Sequence, residues 1–368
     1  MTSELNSLLA AFAASQHDSE PVFLATVVKV QGSAYRHPGA RMLITSTGKM
    51  VGTISGGCLE NDVFEHTRVN LPDGKPIVVT YDTNGDEDLL WGFGLGCNGV
   101  VQILIERLEP DYILNPLAFI HRCFHHRQSG IIATVVTVAG KVNIPVGARL
   151  ILDADSNVQT DIQEPELTAA LVKDAQATLQ NQHSSFHQYQ LTLGKVEVFI
   201  ELLKPPPNLM IFGAGSDALP VVQFAQALGW RVTIVDCRAS EDTKERFTMV
   251  EEVILTRRDI LHQEICVDDD AIAVVMTHNY FDDLAILQLL MSTKISYLGC
   301  LGSKQRKERL LKDLSTQGVE YTPEQLQKLH APVGLDLGAD TPEAIALSII
   351  AEIQAVLTNR KGGFLKDK

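Results

Sequence analysis

Residues 52–62 read GTISGGCLEND, which places a thiol, Cys58, behind a glycine turn at the start of a helical pattern. Main-chain N–H groups left bare by Gly56 and Gly57 at such a helix start would form a cradle for an anion. A neighbouring thiol is a nucleophile or metal ligand in its thiolate form. Glu60, in the first turn, complements the positive helix end. A second thiol, Cys97, sits in another glycine-rich stretch, GLGCNG at residues 94–99.

Residues 209–238, LMIFGAGSDALPVVQFAQALGWRVTIVDCR, point to different chemistry. Gly213, Gly215 and Ala218 have G-x-G-x-x-A spacing between an apolar run and a helical pattern, and Asp236 ends the next apolar run. That arrangement is a dinucleotide-binding βαβ, with a tight turn, a close backbone approach to pyrophosphate and an acid for the ribose. Arg238 and His278 are assigned to the same site. GSKQRKER, residues 302–309, gathers four cations at a helix start, and Ser303, Lys304 and Arg306 are read there as a phosphate or anion site. A dehydrogenase would need a His or Lys paired with a carboxylate as proton relay. His278 and Lys304, with Asp282 and Asp283 nearby, yield no such dyad, so no catalytic residue is assigned.

The elements that position these residues are partly duplicated. LATVVKVQGSAYRHPGARMLI (24–44) aligns without a gap on IATVVTVAGKVNIPVGARLIL (132–152), an offset of 108, and VQILIERLEP (101–110) aligns on VEVFIELLKP (196–205) at 95. The first copy therefore carries thirteen extra residues between Tyr81 and Gly99. Each copy predicts strand, glycine turn, strand, helix, strand, strand, with helices at ENDVFEHTRVNL and PELTAALVKDAQATL. Gly32, Gly39, Ala40 and Arg41 have counterparts in both copies and are read as scaffold. The Ser55-Gly56-Gly57-Cys58 entry and Cys97 belong to the first copy alone; the second copy starts its helix with Glu164-Pro165-Glu166.

The predicted fold class is α/β. An N-terminal α+β domain of two duplicated half-domains (1–203) is followed by a stiff Pro-rich linker (204–208) and a Rossmann-like doubly wound parallel sheet (209–368). The net charge of −14 argues against nonspecific binding to nucleic acid or to an anionic membrane. No apolar run reaches the length of a membrane span. The six cysteines are scattered without a CxxC, as in a reduced cytoplasmic protein. The apolar circumference of the closing helix leads to the expectation of a homodimer.

These residues resemble the xanthine dehydrogenase accessory proteins, the XdhC/CoxI family. The resemblance rests on GSAYRHPGARMLI, GTISGGCLE, the Cys97-Asn98-Gly99 turn leading to a strand that ends in Glu106, FGAG, LGWRVTIVDCR, VVMTH, YLGCLGSKQRK and HAPVGLDLGADTPEAIALSIIAEI. It implies an accessory factor that binds molybdenum cofactor and assists its sulfuration, protection or insertion into a xanthine dehydrogenase-type molybdenum hydroxylase. It also implies a sulfurating protein as partner. The cofactor site would comprise Gly56, Gly57, Cys58, Glu60, Cys97, Asn98 and Gly99, with the two thiols facing the soft metal–sulfur centre. The alternative is an NAD(P)-dependent oxidoreductase, or a nucleotide-sensing regulator, working through the Rossmann domain. Three stretches depart from the family pattern, the mildest being Ser55, which stands where glycine is common. Ser216-Asp217 stands where many members have His-Val, which puts negative charge near an incoming pyrophosphate. Asn279-Tyr280 stands where many have Asp-His.

Overall fold

A computed structural model describes residues 2–18, 21–70, 74–82, 99–109, 111–238 and 242–367. The chain divides into two compact units, Ser3–Pro205 and Pro206–Lys368.

The first unit contains the same antiparallel sheet twice. Strands β1 (Val22–Gly32), β2 (Arg41–Thr45), β3 (Met50–Gly52), β4 (Ile77–Asp82) and β5 (Gly99–Leu108) lie in the order β3-β2-β1-β5-β4. Strands β6 (Gly130–Gly140), β7 (Arg149–Leu152), β8 (Val158–Thr160), β9 (Ser185–Leu191) and β10 (Gly194–Leu203) repeat this as β8-β7-β6-β10-β9. Each copy has one short strand, β3 or β8, beyond those predicted. Side chains alternate between two cores, as the period of a strand requires. Ala25, Val27, Met42, Ile44 and Ile103 pack on Leu59 and Val63, at and inside the helix Glu60–Asn70. Their counterparts pack on Leu167 and Leu171 of the helix Pro165–Asn181.

On the opposite faces, Leu24, Leu43, Ile132 and Ile151 share one core with Leu8 and Phe12 of the helix Thr2–Asp18 and with Leu117 and Ile120 of the helix Pro116–His125. Phe12 and Ile120 are also 108 residues apart, so the duplication includes this leading helix. Burial on both faces explains why β1 and β6 read as nearly unbroken apolar runs. Each fully buried Leu or Ile contributes about 1.5–3 kcal/mol.

Two buried arginines tie the copies together reciprocally. Arg41 of the first copy pairs with Glu201 of the second, its Nη1 lying 2.8 Å from Oε1, and it also donates to the Gly39 carbonyl. Arg149 of the second pairs with Glu106 of the first and donates from Nε to the Gly147 carbonyl. Arg41 is 6% exposed and Arg149 1%, depths at which a guanidinium needs its partner. Gly39 is glycine for the same reason: at φ +92° a Cβ would stand 2.8 Å from Glu201 Oε1.

In the second unit β11 (Asn208–Phe212), β12 (Arg231–Asp236), β13 (Glu252–Leu255), β14 (Ile272–Val275), β15 (Tyr297–Cys300) and β16 (Leu329–His330) form one parallel sheet in the order β13-β12-β11-β14-β15-β16. Leu209, Ile211 and Ile234 bury against the helices Ala218–Ala227 and Pro342–Leu357. Met210, Phe212 and Val275 bury against the helices Tyr280–Met291 and Lys304–Thr316. This is the doubly wound dinucleotide fold, whose strand order reverses between β11 and β14; ligands of such folds lie at the carboxyl ends of the strands there. The closing helix uses Ala346, Ile349, Ile350 and Ile353 inside its own unit and leaves Leu347 exposed. Among the described residues no helix is long and apolar enough to cross a membrane.

Candidate functional site

The turn after β3 is held from within. Gly52, at φ +87°, leaves the strand where a Cβ would stand 2.4 Å from the Arg41 carbonyl oxygen. The carboxylate of Glu60 folds back under the turn and accepts from the N–H groups of Ile54 (3.1 Å), Ser55 (3.0 Å), Gly57 (3.0 Å) and Leu59 (3.1 Å). It also accepts from the Thr53 and Ser55 hydroxyls. The Gly56 and Cys58 amides donate to Thr53 Oγ1 and Ser55 Oγ. The expectation of bare amides is thus corrected: the cradle exists, but its anion is Glu60. Burial alone would raise the Glu60 carboxyl, yet the Ser55 and Thr53 hydroxyls and the turn amides hold it down at about 2.

What the turn presents outward is sulfur. Cys58 is exposed, and among the described residues a Cβ on Gly57 would meet nothing within 4 Å, which leaves space on the turn beside the thiol. The Tyr35 ring lies on Gly56, where a Cβ would be 2.8 Å from its Cδ1. Arg36, next along that loop, pairs with Glu4, which also accepts from the Thr53 amide. Gly99 pairs with Gly32 across β1 and β5, and its Cβ would strike the Ser33 carbonyl oxygen at 2.4 Å. Gly194 does the same against Ala139 in the second copy. Gly99 is accordingly glycine because two strand ends approach closely. Cys97 and Asn98 lie outside the described residues. An exposed thiol beside open space suits the soft metal–sulfur end of a pterin cofactor, whereas the filled amide cradle does not suit its phosphate.

The second unit brings Gly213, Gly215, Ala218, Asp236, Arg238 and His278 to one edge of the sheet. Gly213, at φ +118°, sits where a Cβ would be 2.5 Å from the Met276 carbonyl oxygen. Asp236 reaches the glycine turn, but its Oδ2 accepts from the Ala214 amide (3.1 Å) and its Oδ1 from the Arg238 amide (2.9 Å). Asp217, at the helix start, is 2.7 Å from His278 Nε2, so the pair spans the crevice between the β11 and β14 loops. His278 takes φ 55°, a conformation uncommon outside glycine. A pyrophosphate arriving at this turn would meet a carboxylate and an amide already engaged, so these residues do not fit a dinucleotide in the usual way.

The cationic helix start is also corrected. Ser303 caps the helix through the Arg306 amide (3.2 Å), and the Arg306 guanidinium binds Asp283 at 2.6 Å. Asp283 is 1% exposed and also accepts from Thr277 Oγ1. Arg306 is therefore a buried acid's partner, while Lys304 is exposed at the surface. Sequence reasoning missed a His–carboxylate pair, His330 Nδ1 to Glu352 Oε1 at 2.7 Å, whose other oxygen accepts from Tyr297 and the Gly334 amide. Against the effect of burial, these donors lower the Glu352 carboxyl. Only its place in the HAPVG segment could have pointed to it. Among the described residues no three His, Cys, Asp or Glu side chains are grouped to hold a metal.

Duplicated antiparallel half-domains followed by a Rossmann sheet define a two-domain α/β protein whose candidate groups are an exposed first-copy thiol and a modified nucleotide crevice. The chain belongs to the XdhC and CoxI family. The model of that family matches twice, at residues 15–82 and 123–190, and the XdhC Rossmann domain model matches residues 209–353. The two matches begin and end 108 residues apart, the offset of the duplication. The chain is 33% identical over 336 residues to a probable xanthine dehydrogenase subunit of Bacillus subtilis, covering 91% of this chain and 93% of that protein. It is 23% identical over 333 residues to the molybdenum cofactor insertion chaperone PaoD of Escherichia coli, covering 90% and 82%. A crystal structure described as a xanthine dehydrogenase from Bacillus halodurans superposes with a TM-score of 0.78 at 28% identity, covering 98% and 97% of the two chains.

Proposed function

We propose that this chain is an accessory factor that binds molybdenum cofactor and assists its sulfuration, protection or insertion into a xanthine dehydrogenase-type hydroxylase. A sulfur-transferring protein and the apo-hydroxylase are its partners. The observation that carries this reading is the exposed Cys58, held outward on a turn that the second copy lacks, in a chain related along most of its length to a cofactor insertion chaperone. The cofactor, when bound, supplies a soft molybdenum–sulfur centre. Cys58 meets that centre, Gly57 leaves room for it, and Glu60 fixes the turn without titrating near neutrality. Cys97 lies two residues from Gly99 along the chain, and Gly99 adjoins the Ser33 end of the loop that bears Tyr35. That neighbourhood supports a joint site with Cys58.

The test is retention of molybdenum cofactor by the full-length protein through gel filtration. Wild type should co-elute with molybdenum and pterin fluorescence, and Cys58→Ala with Cys97→Ala should lose at least ten-fold. Undiminished retention by that double variant would remove the thiols from the site. If wild type retains nothing, and apo-hydroxylase activity is the same with and without this chain, the accessory role itself fails.

A further inference from the structure

The Rossmann crevice carries a second set of groups away from the glycine turn, in which Arg238, expected at the dinucleotide site, joins Asp282, Arg258 and Phe281. Asp282, 3% exposed, lies at the start of the helix Tyr280–Met291 and faces two arginines from neighbouring loops. Its Oδ2 is 2.8 Å from Arg238 Nε, beyond β12, and its Oδ1 is 3.2 Å from Arg258 Nη1, beyond β13. The hydrogen bond of the Arg238 guanidinium runs from Nη2 to the Thr277 carbonyl, at 2.8 Å. Both arginine side chains nevertheless remain 54% and 50% exposed. Two guanidiniums share one buried carboxylate, so each keeps donor groups directed towards solvent. Asp236, the other acid here, directs both oxygens at main-chain amides. Cys237 lies among these same four charged groups and is pushed up to about 11, by burial first and then by Asp282 and Asp236.

Beside the arginines stands Phe281, 65% exposed, with the Arg258 guanidinium 5.8 Å from its ring centroid. An exposed aromatic face next to a guanidinium is a stacking platform for a planar base. The phosphate position of an ordinary Rossmann site, the glycine turn, is occupied by Asp217 and Asp236 as described. Anion-binding capacity has thus moved from the β11 turn to the ends of β12 and β13, where a fork of guanidinium donors suits a phosphate.

We infer that this crevice binds a nucleoside monophosphate, with its phosphate on Arg238 and Arg258 and its base on Phe281, and disfavours dinucleotides. The inference does not depend on the molybdenum cofactor reading. Titration calorimetry on the full-length protein with AMP, CMP, adenosine, inorganic phosphate, NAD and NADP tests it. At least one monophosphate should bind ten-fold or more tighter than adenosine, than inorganic phosphate and than either dinucleotide. Arg238→Gln with Arg258→Gln should abolish that binding; because these changes leave Asp282 buried without a cation and lower the unfolding midpoint, the same loss should persist when Asp282→Asn is added to relieve that charge. Phe281→Ala should weaken it several-fold. Asp217→Val should raise NAD affinity by removing the carboxylate at the pyrophosphate position. Tighter binding of NAD or NADP than of any monophosphate, no monophosphate binding, or ten-fold tighter binding of a pterin phosphate ester would each overturn the assignment. So would undiminished monophosphate binding in the double arginine variant.

Discussion

The two half-domains share a strand order, a reciprocal Arg–Glu exchange and a close glycine pair at the ends of their long central strands, yet they differ where each helix begins. In the second copy, Glu164 makes no side-chain cap, Pro165 starts the helix, and the hairpin from β9 to β10 closes through residues 192–193. In the first, a carboxylate inside the helix gathers four turn amides and two hydroxyls so that a cysteine can face outward. Features present in both copies answer to packing, because both must bury the same faces. A feature built in only one, and built with a buried ionised group, needs another reason. The Rossmann glycine turn offers a parallel, since there too an internal carboxylate takes an amide that a ligand would have used.

The shared scaffold is the sharpest place to break the comparison. Arg149→Ala leaves Glu106 buried without its partner and should cost about 3–5 kcal/mol, and Arg41→Ala should cost a similar amount through Glu201. Replacing both members of one pair with apolar residues, Arg149→Met with Glu106→Leu, should recover most of the loss. Urea unfolding midpoints measure all three. A negligible effect from one single variant and a large effect from the other would show that the copies are not held by equivalent exchanges.

Glu60→Gln should come next, because it acts on the first copy alone. An amide cannot serve as acceptor for all the donors that now converge on the carboxylate, and the loss should be about 3 kcal/mol at neutral pH. The sign follows from the direction of the shift. The folded carboxyl sits at about 2 against an ordinary 4.5, so its stabilisation is complete above that ordinary value and is lost as pH falls towards 2. The gap between wild type and Glu60→Gln should therefore narrow between pH 4.5 and 2. Glu164→Gln, the change at the corresponding helix start, should stay within about 0.5 kcal/mol at every pH. A constant gap for Glu60→Gln would mean that the carboxylate is not the anion organising the turn.

The division between what the sequence disclosed and what it withheld follows the range of the interactions. The duplication was readable because both copies repeat the same alternation, and the Rossmann βαβ because Gly213, Gly215, Ala218 and Asp236 lie within one short segment. Arg41 was correctly placed among the scaffold residues, but its partner Glu201 is 160 residues away and no local pattern names it. His330 and Glu352 escaped notice for the same reason, at a separation of 22. The misreading of Glu60 was of another kind. An acid in the first turn of a helix ordinarily points to the helix end, and only the backbone path of Ser55-Gly56-Gly57 shows it serving as a ligand for six donors. The turn residues at Gly56 and Gly57 disclosed that a cradle would form; they did not disclose what fills it.

Cys58 should give the smallest effect on stability and the clearest separation of roles. Its side chain is exposed, so Cys58→Ala should move the unfolding midpoint by no more than about 0.5 kcal/mol. Cys123 is buried against Phe119 and Gly130 in the shared core, and burial pushes its thiol up to about 11. Cys300, buried in the second unit, is pushed up to about 12. In the native protein iodoacetamide should therefore label Cys58 well before Cys123 or Cys300, as read by peptide mass mapping. Cofactor retention should separate these two variants although stability does not, falling with Cys58→Ala and surviving Glu164→Gln. Were Cys58→Ala to destabilise the fold as much as Glu60→Gln does, the turn would exist to pack its sulfur, and the contrast between the copies would lose its functional meaning.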